Sequence, residues 1–93
     1  MAQDIQRRFV YYQGTVQGVG FRYTTLQISH RHRVVGYVRN LPNGEVEVCV
    51  EGETDEIDRF QGDIAARMAA NIRSARVETV APTGEFDSFE IRH

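Results

Sequence analysis

Ninety-three residues with a net charge of −2 and 41% hydrophobic side chains suit one small globular domain, residues 1–93, with a core of its own rather than a disordered chain. The near-neutral balance gives no overall pull toward nucleic acid or an anionic membrane, and a single cysteine excludes an internal disulfide framework. No apolar run approaches the roughly 18 residues of a membrane span, and the opening Met-Ala-Gln-Asp has no signal-peptide character, so a soluble cytoplasmic protein is expected.

Residues 1–5 are expected to be a frayed end. Arg7 to Gln13, rich in β-branched and aromatic side chains, reads as the first strand. Gly14-Thr-Val-Gln-Gly-Val-Gly-Phe-Arg22 follows, with three glycines at positions 14, 18 and 20. Phe21 to about Arg33 reads as a helix, with Phe21, Thr25, Ile28 and His32 at helical spacing, so the glycines fall on a strand-to-helix turn. Glycine keeps no Cβ between backbone and ligand and accepts positive φ. A helix N-terminus adds unpaired N–H donors and a partial positive charge. The turn therefore reads as a cradle for a tetrahedral oxyanion such as phosphate, with Arg22 in the first helical turn adding a permanent charge and a fork of donors. It is neither a Walker loop, since no Lys-Ser or Lys-Thr follows, nor the dinucleotide fingerprint, since the third glycine is missing.

Val34 to Asn40 reads as the second strand, and Leu41-Pro-Asn-Gly44 as a hairpin turn. Asn43 before Gly44 is a turn former. Asn40 is not needed for the turn, which leaves its carboxamide open to another role. In Glu45 to Glu51 the valines at 46, 48 and 50 alternate with Glu45, Glu47, Cys49 and Glu51. That pattern predicts a third strand with one face buried and one wet, and a Cys49 thiol made inert by its acidic neighbours. Thr54 is expected to cap a second helix with Asp55 and Glu56 in its first turn and an apolar stripe of Ile57, Phe60, Ile64 and Met68, ending near Ala70 to Asn71. Ala75 to Val80 reads as a fourth strand, and Ser88 to Arg92 as a short last one with Phe89 and Ile91 on one side. The order β-α-β-β-α-β predicts an α+β, ferredoxin-like βαββαβ sandwich: an antiparallel sheet with two helices on one face, plus a short C-terminal strand.

Val16-Gln-Gly-Val-Gly-Phe-Arg22, then Gly36-Tyr-Val-Arg-Asn-Leu-Pro-Asn-Gly44 and an alternating valine strand, resemble the acylphosphatase family, as do Ser74-Ala-Arg-Val-Glu78 and Phe89-Glu-Ile91. The resemblance covers nearly the whole chain. It implies hydrolysis of small acyl phosphates to carboxylate and inorganic phosphate, without cofactor or metal. It further implies phosphate held by the backbone of Gln17, Gly18, Val19, Gly20 and Phe21 and by Arg22, and an attacking water oriented by Asn40. Ser29, His32 and Arg33 depart from the family's usual alanine, leucine and glycine, which bears on packing and the end of the first helix.

Other readings of the residues are weaker. His30 and His32 are two apart and cannot share a metal on a helix. The run His30-Arg-His-Arg33 is better read as a solvated basic helix end than as a nucleic-acid patch, and His93 as a solvated terminus. RNA binding on the open sheet face is disfavoured by the valine–glutamate alternation and by the lack of a stacking motif on the third strand. A phosphate-sensing module without turnover is the competing class. A monomer acting on a small molecule, with no nucleic-acid or membrane partner, is expected.

Overall fold

The computed structural model describes residues 4–93. Its elements are β1 (Ile5–Gly14), α1 (Phe21–Ser29), β2 (Val35–Asn40), β3 (Val46–Glu53), α2 (Thr54–Arg67), β4 (Ile72–Val80) and β5 (Phe89–Arg92). The strands form one sheet in the order β4-β1-β3-β2-β5. β1 and β3 lie at its centre, as the split βαβ topology requires. Every pairing is antiparallel except β2 with β5, which is parallel, so the sheet is mixed. Of the frayed end expected over residues 1–5, residues 1–3 lie outside the described residues. Ile5 already belongs to β1, and the Asp4 carbonyl accepts the Thr54 N–H at 3.0 Å.

One face of the sheet carries the core. Val10 and Tyr12 of β1, Val38 of β2 and Val46, Val48 and Val50 of β3 pack against Phe21 and Ile28 of α1 and Ile57, Phe60 and Ile64 of α2. The β3 valines and the two helical stripes are the sets expected from the sequence, and they meet on one side of the sheet.

Both helices end early. α1 stops at Ser29, and the chain tightens through His30 N–H to Gln27 O, Arg31 N–H to Ile28 O and His32 N–H to Ser29 O. These are i→i−3 bonds, the usual fate of a helix end that lacks a left-handed cap residue. α2 stops at Arg67 instead of near Asn71. Thr54 is not the cap of α2. Glu53 holds that position, and Thr54, the first helical residue, gives its hydroxyl to Asp4 O at 3.2 Å.

The wet face expected of the third strand is the main correction. Glu45, Glu47 and Glu51 are only 6%, 6% and 3% exposed, and Cys49 is fully buried. Glu45 is covered by Gln13, Asn43 and Arg76; for Glu51 the reason is topological. β4 and β5 sit at opposite edges, so the Ala81–Ser88 connection must cross the sheet, and it crosses the face away from the helices. Phe86 lies edge-on to Tyr37 at 6.0 Å, and Arg7 covers the Phe86 ring at 4.9 Å. Glu51 accepts from Arg7 Nε at 2.6 Å, Thr83 N at 2.9 Å and Gly84 N at 3.0 Å. Glu47 accepts from Tyr37 Oη at 2.9 Å and Arg39 Nε at 2.7 Å. The second face is thus a layer of paired arginines, tyrosines and glutamates rather than a solvated surface. Cys49 is inert chiefly for another reason than the one expected: burial first, with its acidic neighbours adding less, pushes its thiol up to about 11.

Candidate active site

The turn between β1 and α1 is held at both ends. Thr15 N–H donates to Asn71 O at 2.9 Å, and Asn71 Nδ2 donates back to Thr15 O at 3.1 Å. Val16 is buried beneath it. Gln17 points its side chain into the β2–β3 hairpin, where Nε2 donates to Leu41 O at 2.8 Å and Glu45 O at 2.9 Å. That strut ties the glycine loop to the hairpin that begins one residue after Asn40. Sequence reasoning gave Gln17 only a backbone role and missed it.

Gly18 and Gly20 adopt φ of 76° and 79°, the left-handed region. A Cβ at either would meet nothing within 4 Å. Glycine is therefore required by backbone conformation and not by crowding. Gly20 is the N-cap of α1 and offers no side-chain cap. Thr24 N–H makes the first helical bond, to Gly20 O at 3.0 Å. The N–H groups of Phe21, Arg22 and Tyr23 precede that bond and have no intrahelical acceptor. The first turn also carries no acidic residue that would repel an anion.

Gly18, Gly20, Phe21 and Arg22 line a cleft of ≈ 220 Å³, and Asn40 lines the same cleft from the end of β2. Gln17 and Val19 belong to the loop but are not among the lining residues. The Asn40 Oδ1 atom is buried with no hydrogen-bond partner. Val16, Phe21 and Ile91 supply the apolar part of the wall. Two motifs eighteen residues apart in the chain, at Arg22 and Asn40, therefore face one space.

His93, read from sequence as a solvated terminus, also lines this cleft, with Nδ1 3.1 Å from Arg22 Nη1. Its position was available in the alternation of the last strand: Phe89 and Ile91 point toward the helices, and the same period carried two residues further points His93 that way.

The basic helix end is likewise not solvated as a unit. His32 is held between Glu56 Oε1 at 2.8 Å (Nδ1) and Asp63 Oδ2 at 2.7 Å (Nε2), edge-on to Phe60. This trio clips the turn after α1 to α2. Among the described residues no group of three His, Cys, Asp or Glu is arranged to hold a metal ion, and no helix is long and apolar enough to cross a membrane.

Comparison with known proteins points to one family. The family model described as Acylphosphatase matches residues 8–91. An acylphosphatase of Geotalea uraniireducens is 41% identical over 92 residues, covering 94% of this chain and 97% of the relative. One from Anaeromyxobacter dehalogenans is 41% identical over 93 residues, covering 99% of each. The crystal structure of acylphosphatase from Bacillus subtilis superposes with a TM-score of 0.82 at 24% identity, covering 97% of this chain and all of that one, which shows the shared fold.

Proposed function

This chain belongs to the acylphosphatase family, hydrolases that act on acyl phosphates, and from that premise we propose that Arg22 and the loop amides grip the phosphoryl group while Asn40 aims the attacking water. In this reading the amides of Gln17 to Phe21 and the Arg22 guanidinium surround the equatorial oxygens, where charge spreads as the phosphoryl group passes between oxygens. Donors fixed in advance cost no reorganisation at that moment.

The observation that carries the role of Asn40 is its orphaned acceptor. A buried carboxamide oxygen left without a donor costs about 1–3 kcal/mol, yet Oδ1 is left so at the wall of the cleft that Arg22 lines. A water donating to Oδ1 satisfies it and is thereby oriented. Asn40 cannot take a proton at neutral pH, so it directs the nucleophile and does not activate it. The reaction tolerates this because the leaving group is a carboxylate, whose conjugate acid has a pKa of about 4 and which departs without being protonated. An alkoxide would need a proton, and the cleft lining has no carboxyl side chain to give one, while its imidazole, His93, is placed against Arg22. Alkyl phosphate hydrolysis requires up to roughly 10²¹-fold acceleration, and this site is not equipped for it.

The test is hydrolysis of an aryl acyl phosphate, beside a simple alkyl phosphate, by the wild type, Arg22→Ala and Asn40→Ala. Arg22→Ala is expected to lose affinity for inorganic phosphate together with activity. Asn40→Ala should keep phosphate affinity and lose about 10²-fold or more in kcat, the scale of a removed positioning group. Full activity in Asn40→Ala would end the water-positioning role. Phosphate binding without turnover by the wild type would make the protein a sensor.

A further inference from the structure

A carboxamide nitrogen carries two N–H donors, and Gln17 Nε2 uses both on the β2–β3 hairpin, at Leu41 O (2.8 Å) and Glu45 O (2.9 Å). The hairpin closes on the same two carbonyls. Leu41 N–H donates to Glu45 O at 2.8 Å, and Gly44 N–H donates to Leu41 O at 3.1 Å. Each carbonyl oxygen therefore accepts twice, once from the hairpin and once from Gln17, as its two lone pairs allow. Taking the Gln17 amide away orphans neither of them, so the strut serves something other than the turn.

The positions at its two ends show what. Gln17 precedes Gly18 in the chain, and Leu41 follows Asn40. Gly18 and Asn40 both line the Arg22 cleft. One side chain thus ties the glycine loop to the neighbour of the residue whose Oδ1 is orphaned. Among the described residues no other hydrogen bond joins residues 16–20 to the hairpin. α1 packs on β2, but apolar packing is non-directional, whereas two hydrogen bonds to two carbonyls set a distance. The loop itself is held elsewhere, at Thr15 by Asn71 and at Gly20 by the start of α1.

We infer that Gln17 is a positioning residue: its side chain sets the gap between the loop that grips the phosphoryl group and the Asn40 carboxamide that aims the water. The inference rests on those two roles as read above. With both side-chain donors taken by the hairpin, Gln17 acts through Leu41 on Asn40 and not on the substrate. Without the strut each half of the site stays built, but the two move independently. The phosphate is still held, and the line of attack on it is lost. A displacement of about 1 Å in such an arrangement costs up to about 10²-fold in rate.

The test separates kcat from phosphate affinity. Gln17→Met keeps the length of the side chain and removes its donors. Gln17→Asn keeps the donors but is one methylene shorter, so it cannot hold both carbonyls at the same gap. For both variants, the wild type, Asn40→Ala and Arg22→Ala, kcat is measured on an aryl acyl phosphate. Binding of inorganic phosphate is measured by calorimetric titration, which requires no turnover, with folding checked by circular dichroism. The Gln17 variants are expected to bind phosphate within about twofold of the wild type and to lose about tenfold or more in kcat, though no more than Asn40→Ala loses. A kcat within about twofold of the wild type in either variant, or a loss larger than that of Asn40→Ala, overturns the role. So does a loss of phosphate affinity in step with kcat, which would make Gln17 a prop of the loop alone. If Gln17→Met does not fold, Gln17→Asn decides by the same criteria. Phosphate binding kept in Arg22→Ala, or full kcat in Asn40→Ala, overturns the underlying reading of the site and the inference with it. The expected losses in those two beside unchanged Gln17 variants overturn the role of Gln17 alone.

Discussion

Gly20 shows how much a single residue without a side chain carries. Its φ of 79° lets the chain turn into α1 at the N-cap, and the first residues of that helix line the Arg22 cleft. An alanine there has open space for its Cβ, but an L-residue in the left-handed region costs roughly 1–2 kcal/mol. Gly20→Ala is therefore expected to lower unfolding stability by about 1 kcal/mol, or, where the backbone relaxes to negative φ, to re-aim the amides. In both cases affinity for inorganic phosphate should fall at least about tenfold, read as its inhibition constant. A variant with wild-type phosphate affinity would mean that the amides of this turn do not touch the anion. At this scale the site was largely legible. Glycine spacing and an arginine at a helix start are local patterns, and local patterns survive in a sequence. The Gln17 strut and the His93 contact were not, because their partners lie 24 to 28 and 71 positions away.

At the scale of the element, the two helices were placed correctly and overextended at their ends. Periodicity reports which face a helix buries and says little about where it stops, since the last turn is decided by whatever accepts its final N–H groups. The apolar stripe of α2 is buried at Ile57, Phe60 and Ile64. Gly62, within the same helix, is exposed, and a Cβ there would meet nothing within 4 Å. Gly62→Ala is expected to stabilise the fold by about 1 kcal/mol through helix propensity alone, raising Tm by roughly 4–8 °C in a domain of this size, with kcat and KM unchanged. A lower Tm would show that this position serves a contact the helix does not reveal. His32 is the element-scale surprise. Its hydrogen bonds to Glu56 and Asp63 make a departure from the family's usual leucine into a polar clip between the end of α1 and α2.

The whole molecule is organised by a connection that looks unremarkable in sequence. Because residues 81–88 must pass from one sheet edge to the other, Glu51 of β3 is buried beneath them and must be paired. Burial works to raise the Glu51 carboxyl, but the Thr83 amide, Arg7 and the Gly84 amide outweigh it and hold it below the usual range. Asn43 and Gln13 do the same for Glu45. Arg59 and His32 take Glu56 down to about 2. Each of these carboxylates binds its proton more weakly folded than unfolded. Their stabilisation is complete above the unfolded range of about 4.3 and is lost as pH falls through the folded values, because the unfolded chain then takes up more protons. Chemical denaturation between about pH 6 and pH 2.5 should show stability declining steadily below about pH 4.5. Glu51→Gln should cost about 3 kcal/mol at neutral pH, the scale of breaking a buried pair, and should make the acid decline shallower. An unchanged slope would mean that Glu51 is not linked to folding through its charge.

The sequence by itself determined the element order, the core face of β3 and of α2, the glycine turn at the start of α1 and the membership of Arg22 and Asn40 in one family pattern. These follow from short-range rules: alternation, helical spacing and glycine at a turn. Only the tertiary structure decided that the glutamate face of β3 is covered, that β5 runs parallel to β2 and that His93 returns to Arg22. Each of these depends on where the chain goes after it leaves an element, and that route is set by the packing of the whole sheet and by no run of neighbouring residues.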